Sequence, residues 1–576
     1  MASQQFPTKG ALRRPKFAAV DVLVAFGIVA LLFAIVRLGA AMGASASHVG
    51  ETVSTAPRNL PYYAARSLLR MFIALALSVG FTFVYGTAAA RSRRWRAVLI
   101  PFLDILQSVP VLGFLTITVT FFVGLLPGST LGLECAAIFA IFTSQAWNMT
   151  FSFYHSLISQ PSELDEAARM FRLTKWERFW RLDVPSSMIG LVWNGMMSFG
   201  GGWFFLAASE AITIKSGHAL ALPGIGSYVA IAEQDKDLPA ILLATVVMVL
   251  MVVGVNTLFW RPLVAWSEKF RIETSEAAEA PRSVVLSALR RSRVPGAVAR
   301  PLRPMGEVLD KWTRPFGLAE YPLRTPPGQR RAGDVAFFTV VGGLIAWGVY
   351  EAARYFHAQG VFGQFPHCLA LGAVTFSRVV VVVVVATLIW VPIGVTIGMS
   401  PRLSRYAQPV VQVLASYPAI LLFPFVIVIF QHLGIPLDIG GILLMALGSQ
   451  WYILFNVIAG ASAIPTEMRE MADQFRLPTV QKWREVILPA VFPYYVTGGI
   501  TAAGGAWNAS IVAEYVAYGK SPLVAYGLGA YITEASAAGQ FAKVLTGVIV
   551  MSFYVVVVNR IVWRPLYHLA EVRYSL

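Results

Sequence analysis

Two stretches of this chain leave few places for it to fold. Ala240 to Phe259 reads AILLATVVMVLMVVGVNTLF, and Val379 to Met399 opens on seven valines and closes on IGVTIGM, neither with a charge. A helix of ~20 apolar residues crosses the hydrocarbon core of a bilayer with every backbone group bonded internally. Other stretches read the same way. The first half predicts spans at 17–41, 67–90, 106–126, 131–153, 187–208 and 239–260. The second half predicts spans at 335–356, 372–399, 411–431, 437–459, 490–513 and 543–563. Charged residues are only 13% of the chain and hydrophobic residues 57%, against about 25% charged in an ordinary soluble domain. This balance excludes a cytosolic enzyme and a disordered chain. It also makes nucleic-acid binding a poor account of the +16 formal charge. Cys135 and Cys368 frame no disulfide scaffold or zinc site, and the seven histidines form no HExxH. No metal or other cofactor is expected on this chain.

The positive charge sets an orientation. With the N-terminus inside and the spans alternating, 36 of the 46 Lys and Arg residues fall on the inner side. Short cytoplasmic loops carry such an excess. Arg91, Arg93, Arg94 and Arg96 are the sharpest case. Both termini are therefore expected in the cytoplasm of a bacterial cell, with the chain in the inner membrane. The first span follows Lys9, Arg13, Arg14 and Lys16, and its apolar run exceeds a signal-peptide core, so it is expected to remain as a helix.

The two halves match at an offset near 304. Ser144-Gln145 matches Ser449-Gln450, Phe171-Arg172-Leu173 matches Phe475-Arg476-Leu477, and Trp260-Arg261-Pro262 matches Trp563-Arg564-Pro565. Pro161, Glu163, Pro185, Trp203 and Glu210 match Pro465, Glu467, Pro489, Trp507 and Glu514. A repeat with an even number of spans keeps its orientation, so the halves form a parallel pseudo-twofold pair with a pathway expected at their interface. Segment 263–333 between them is rich in Pro and Arg and reads as a cytoplasmic linker, with a short helix near Met305 to Trp312.

One inner loop in each half carries a charged helix. The first runs from Glu163 through Glu166-Ala167-Ala168-Arg169 to Val184-Pro185, with Pro161 and Ser162 as start signals. The second runs from Glu467 through Glu470 and Ala472 to Leu488-Pro489. Here the chain resembles the permeases of ABC importers of the type I fold, whose loop reads EAA, a glycine, an apolar residue and Leu-Pro. The family glycine is Arg172 in one copy and Arg476 in the other, which predicts a different turn after the helix. Closer motifs resemble the nitrate/sulfonate/taurine/bicarbonate permeases: Phe199-Gly-Gly-Gly-Trp203 to Glu210, Ala503-Gly-Gly-Ala-Trp507 to Glu514, Leu222-Pro-Gly-Ile-Gly226, Tyr526-Gly-Leu-Gly529 and Ser67-Leu-Leu-Arg70.

The resemblance implies an all-α polytopic membrane protein with two parallel repeats of about six helices each, both on one chain where most relatives supply single copies that dimerise. It implies a permease that couples through segments 161–174 and 465–478 to a separate ABC ATPase dimer. That dimer would hold the ATP and Mg. It also implies an extracytoplasmic solute-binding protein and a small anionic solute. Glu163, Glu166, Ala167, Ala168, Arg172, Glu467, Glu470, Ala472 and Arg476 would face the ATPase. The expected domains are 1–61 with the first helix, a permease core at 62–262, the linker at 263–333, a seventh helix with its outer loop at 334–367, and a second core at 368–576.

Polar groups inside membranes are costly and often functional. Gln145, Asn148, Asn194, Ser198, Trp203, Glu210, Gln450, Trp507, Asn508 and Glu514 are candidates to line a pathway; interhelical hydrogen bonding is the competing reading. Glu210 and Glu514 close their spans on the outer side, where pairing with Lys215, Lys520 or loop backbone is expected. Arg70 and Arg378 are expected to snorkel to lipid headgroups, with anion attraction as the sharper alternative. Asp104 has no acidic counterpart, since Gln412 stands in its place. Gly519-Lys520-Ser521 lacks the first glycine of a phosphate loop, so no ATPase motif is present. The rival readings are an ion-coupled secondary transporter, which needs mid-membrane carboxylates where only Asp21 and Asp104 are near, and a non-transport membrane scaffold.

Overall fold

The computed structural model describes residues 19–42, 53–127, 129–215, 222–270, 283–292, 294, 308, 327–518 and 521–573. These fall into two compact units. The described parts of Met1–Gly39, Pro161–Ile189 and Thr257–Glu320 make the first; those of Ala40–Gln160, Gly190–Asn256 and Tyr321–Leu576 make the second.

The helices of the first half are α1 (Ala19–Met42), α2 (Leu60–Arg91), α3 (Arg93–Ser108), α4 (Leu115–Leu125), α5 (Leu131–Ile158), α6 (Ser162–Met170), α7 (Lys175–Arg178), α8 (Val184–Lys215), α9 (Ile225–Gln234), α10 (Leu238–Val255) and α11 (Arg261–Ser267). After α12 (Val284–Arg291) in the linker, the pattern returns. It runs α13 (Pro327–Ala358), α14 (Phe365–Met399), α15 (Pro401–Ser416), α16 (Phe423–Leu433), α17 (Leu437–Ser462), α18 (Thr466–Gln474), α19 (Thr479–Gln481), α20 (Leu488–Ala513), α21 (Leu528–Ala537), α22 (Phe541–Val558) and α23 (Arg564–Arg573). The expected linker helix at Met305 to Trp312 lies almost wholly outside the described residues.

The repeat extends to its irregularities. Wide π turns stand at Phe179–Asp183 and Lys482–Ile487, and again at Asn256–Trp260 and Asn559–Trp563. Each lies just before a proline: Pro185, Pro489, Pro262 and Pro565. A proline inside a helix donates no bond and crowds the preceding turn, and a wider turn accommodates it.

Two expected spans are corrected. Segments 106–126 and 411–431 are not single helices. They bend by 85° between Arg93–Gln107 and Val111–Leu125, and by 86° between Arg402–Ser416 and Ala419–Leu433. Val109 and Tyr417 are extended, with ψ of 124° and 129°, because each precedes a proline, which disfavours the helical region for the residue before it. Among the described residues, seven helices are long and apolar enough to cross a bilayer, or nine with each bent pair as one crossing. Twelve were expected. α5 and α8 have the length, but Glu134, Gln145, Asn148 and Asn194 lower their hydropathy.

A second departure is a small hairpin, which holds the two strands found among the described residues. β1 (Tyr515–Tyr518) pairs antiparallel with β2 (Ser521–Val524), Tyr515 opposite Val524.

Within the second unit, one apolar core draws on both repeats, with Val111, Leu115, Ala136, Phe423, Ile427, Trp507 and Val548 among its buried residues. Close helix approach needs glycine at Gly498, where a Cβ would lie 2.9 Å from the Tyr452 carbonyl oxygen.

Candidate functional site: loop helices and buried ionic clamps

The loop helices α6 and α18 have the same anatomy. Glu163 and Glu166 are exposed on α6, and Glu467 and Glu470 on α18. Ala167 is half-buried, and Ala168 and Ala472 are buried. The alanines seat each helix while the glutamates face out. Met170, at the end of α6, and Phe171 and Phe475, in the turns that follow, are exposed large apolar side chains.

Those turns overturn one expectation. Arg172 has φ 47° and Arg476 φ 48°, the left-handed conformation that favours glycine. The Leu173 N–H donates to Ala168 O and the Leu477 N–H to Ala472 O, both at 3.1 Å. This is the helix-ending motif that a left-handed residue makes possible. The turn is therefore retained without its glycine, at a conformational cost of about 1 kcal/mol per site.

In the N-terminal parts of α2 and α14, the structure builds one ionic clamp twice. Arg70, on α2, is fully buried. Its Nε and Nη2 donate to both Glu134 oxygens at 2.5 and 2.7 Å, and its Nη1 donates to Glu210 at 2.5 Å and to Pro223 O at 2.9 Å. Arg66 adds a second cation on Glu134. Glu210 also accepts from Ser67 Oγ at 2.8 Å and from the Gly226 N–H at 2.9 Å. The Ile225 N–H donates to Ser67 Oγ at 3.1 Å. Two free N–H groups in the first turn of α9 are thus satisfied by a carboxylate and a hydroxyl. A side chain at Gly224 would displace the carboxylate.

The second clamp repeats this with fewer charges. Arg378 donates to Glu514 and to Asp438, each at 2.8 Å. Glu514 accepts from Thr375 Oγ1 at 2.9 Å and from the Gly529 N–H at 2.7 Å, and the Leu528 N–H donates to Thr375 Oγ1 at 2.9 Å. The Asp438 side chain is 54% exposed, whereas that of its counterpart Glu134 is 1% exposed.

Two expectations change here. Arg70 and Arg378 do not snorkel; they are buried because each is the partner of two carboxylates. Glu210 and Glu514 do pair, but with these arginines. Lys520 and the Lys215 side chain lie outside what is described. Sequence reasoning missed Arg66, Glu134 and Asp438. The signal was there: charges in or beside predicted spans demand partners.

The other pathway candidates scatter. Trp203 and Trp507 are buried, Trp203 edge-on to Phe199 and Trp507 stacked on Phe376. Gln145 is buried without a hydrogen-bond partner for its amide among the described residues, and so is the Ser198 hydroxyl. Asn148 is exposed and accepts from Gln107 at 3.0 Å; Asn194 donates to Ser152 at 3.0 Å. Gln450 accepts from Trp390 Nε1 at 2.9 Å. Asn508 reaches the other repeat, where its Oδ1 accepts from the Val111 N–H at 3.1 Å. That bond satisfies a donor freed by the Pro110 break. Asn508→Leu is expected to cost about 1–3 kcal/mol by leaving the donor unsatisfied, read as a lower thermal midpoint in detergent. An unchanged midpoint would show that Val111 finds another acceptor.

None of these candidates lines the cavity of about 550 Å³ that opens between elements of both repeats in the second unit. Its walls include Leu112, Thr116, Phe423, Tyr515, Thr533 and Ser536. Leu112 and Phe423 reach it because the proline breaks turn the chain there. The carboxylates nominated as ion-coupling groups are both engaged. Asp21 accepts from Ser292 at 2.9 Å, and Asp104 faces Arg564 at 3.5 Å.

Matched broken helices, matched clamps and matched loop helices define a duplicated multi-pass membrane permease. The chain belongs to the family of binding-protein-dependent transport system inner membrane components, which matches it twice, at residues 80–261 and 390–564. It is similar to the nitrate import permease protein of Leptolyngbya laminosa, 28% identical over 204 residues, or 35% of this chain and 67% of that one. A bicarbonate transport system permease protein of Synechocystis sp. is 24% identical over 269 residues, covering 42% of this chain and 90% of the relative. The taurine transport system permease protein of Escherichia coli is 25% identical over 183 residues, 31% and 62% of the two chains.

Proposed function

We propose that this chain is the transmembrane subunit of an ATP-driven importer and supplies both transmembrane halves, with cores at 62–262 and 368–576. A separate ABC ATPase dimer, holding ATP and Mg, engages α6 and α18. Closure of that dimer moves the two loop helices, and the halves rock between inward- and outward-facing states. Both termini are cytoplasmic, in a bacterial inner membrane, and an extracytoplasmic binding protein delivers the solute. The names of its relatives favour a small anion such as nitrate, bicarbonate or a sulfonate.

One observation carries this reading. The same exposed-glutamate, buried-alanine helix follows the fifth helix of the first half and its counterpart in the second. A solvated connector would not need that anatomy twice. Co-purification with an ATPase subunit, and its loss in Glu166→Ala/Glu470→Ala, is the expected result. Uptake driven by an ion gradient with no ATPase present would favour the secondary transporter instead. A panel of solutes scored by ATPase stimulation in liposomes tests the anion. Stimulation by cations or neutral solutes alone would exclude it.

A further inference from the structure

Among the described residues, three side chains other than glycine have positive φ: Arg172, Lys236 and Arg476. Lys236 lies two residues after α9, and the matching position after α21 is Gly539, with φ 66°. This chain therefore uses glycine where the turn alone matters. Lys236 is exposed, but its side chain has a contact within the fold, its ammonium lying 5.6 Å from the Tyr518 ring centroid. Arg172 and Arg476 differ from both cases. Both are exposed, and neither guanidinium has a hydrogen-bond or ion-pair partner among the described residues. Each stands beside an exposed phenylalanine, Phe171 at 79% and Phe475 at 73%. A helix-ending hydrogen bond holds the turn at both equivalent positions, but no hydrogen bond or ion pair among the described residues uses the arginine side chain. Strained positions of this kind point to a task at a binding surface.

We infer that Arg172 and Arg476 are recognition residues for the ATPase subunit, each pairing with a carboxylate on the rim of the groove that receives the loop helix, with Phe171 and Phe475 as apolar anchors beside them. The left-handed turn ends each helix at the residue that carries the guanidinium, and that side chain is exposed in both copies. Arginine suits such a rim because its planar fork pairs carboxylates in a fixed geometry. This inference rests on the coupling role proposed above.

The test is Arg172→Gly/Arg476→Gly in the full chain, in nanodiscs, titrated with the ATPase that co-purifies with the wild type. Glycine keeps the turn and removes only the side chain, so the thermal midpoint should hold or rise. ATPase affinity is expected to fall about tenfold at low salt. Its decline with added salt should flatten, and Arg172→Glu/Arg476→Glu should bind more weakly still. Glycine variants that bind as tightly as wild type, with the same salt dependence, overturn this inference and leave the coupling role standing. Failure of the wild-type chain to bind any ATPase overturns both.

Discussion

Arg70→Ala is expected to lower stability by roughly 3–5 kcal/mol, because breaking a buried ion pair strands the partner charge. Here Glu210 loses its cation and Glu134 loses one of two. The Glu134 and Glu210 side chains are 1% and 0% exposed, and Arg66 then serves Glu134 alone. Arg378→Ala removes the equivalent cation and is expected to cost less. Asp438 is half in solvent and stays hydrated, so only Glu514 loses its charge partner. The measurement is thermal unfolding of the purified chain in detergent, with yield from the membrane as a second readout. Equal shifts for the two variants would mean that depth of burial does not govern the clamps. Thr375→Val and Ser67→Ala should each be milder, since the arginine remains on the carboxylate.

Ala472→Lys is expected to reduce ATP-driven uptake at least tenfold while the thermal midpoint of the helical core moves little. Ala472 is 1% exposed and seats a nine-residue helix. Forcing a larger side chain into a packed site costs about 1–3 kcal/mol, and burying an amine adds to that. A short helix held by one small buried face has little to set against this cost, so it should be displaced locally. Uptake lost only in proportion to folded protein would mean that the helix position is not what couples. Ala168→Lys is the matching variant in the first repeat, where Ala168 is 3% exposed.

Much of this was legible in the residues. Long uncharged runs located the helices, and Pro161 and Ser162 set the start of α6. The 304-residue offset paired the elements, including π turns that nobody would place from hydropathy but that stand before matched prolines. The loop helices and their exposed glutamates stood where the motif put them. Other features were misread because they depend on partners distant in sequence. Arg70 looked like a snorkelling arginine because nothing near it in the chain is acidic; Glu134 and Glu210 are 64 and 140 residues away. Pro110 and Pro418 were visible, yet the hydropathy across each was continuous, so the two bent segments read as straight spans. Arg172 and Arg476 looked like departures from a glycine turn. The backbone shows the same turn, because a helix-ending hydrogen bond can hold arginine in the left-handed region.

Sequence alone determined the class of this protein. Membrane insertion, helix length, loop charge and duplication are local or periodic properties, and apolar runs and basic loops record them directly. Only the tertiary structure decided which charges meet. A buried ion pair depends on helices separated by tens to hundreds of residues placing two side chains within 3 Å in the buried interior. The same arginine would snorkel on a lone helix and clamps two carboxylates here.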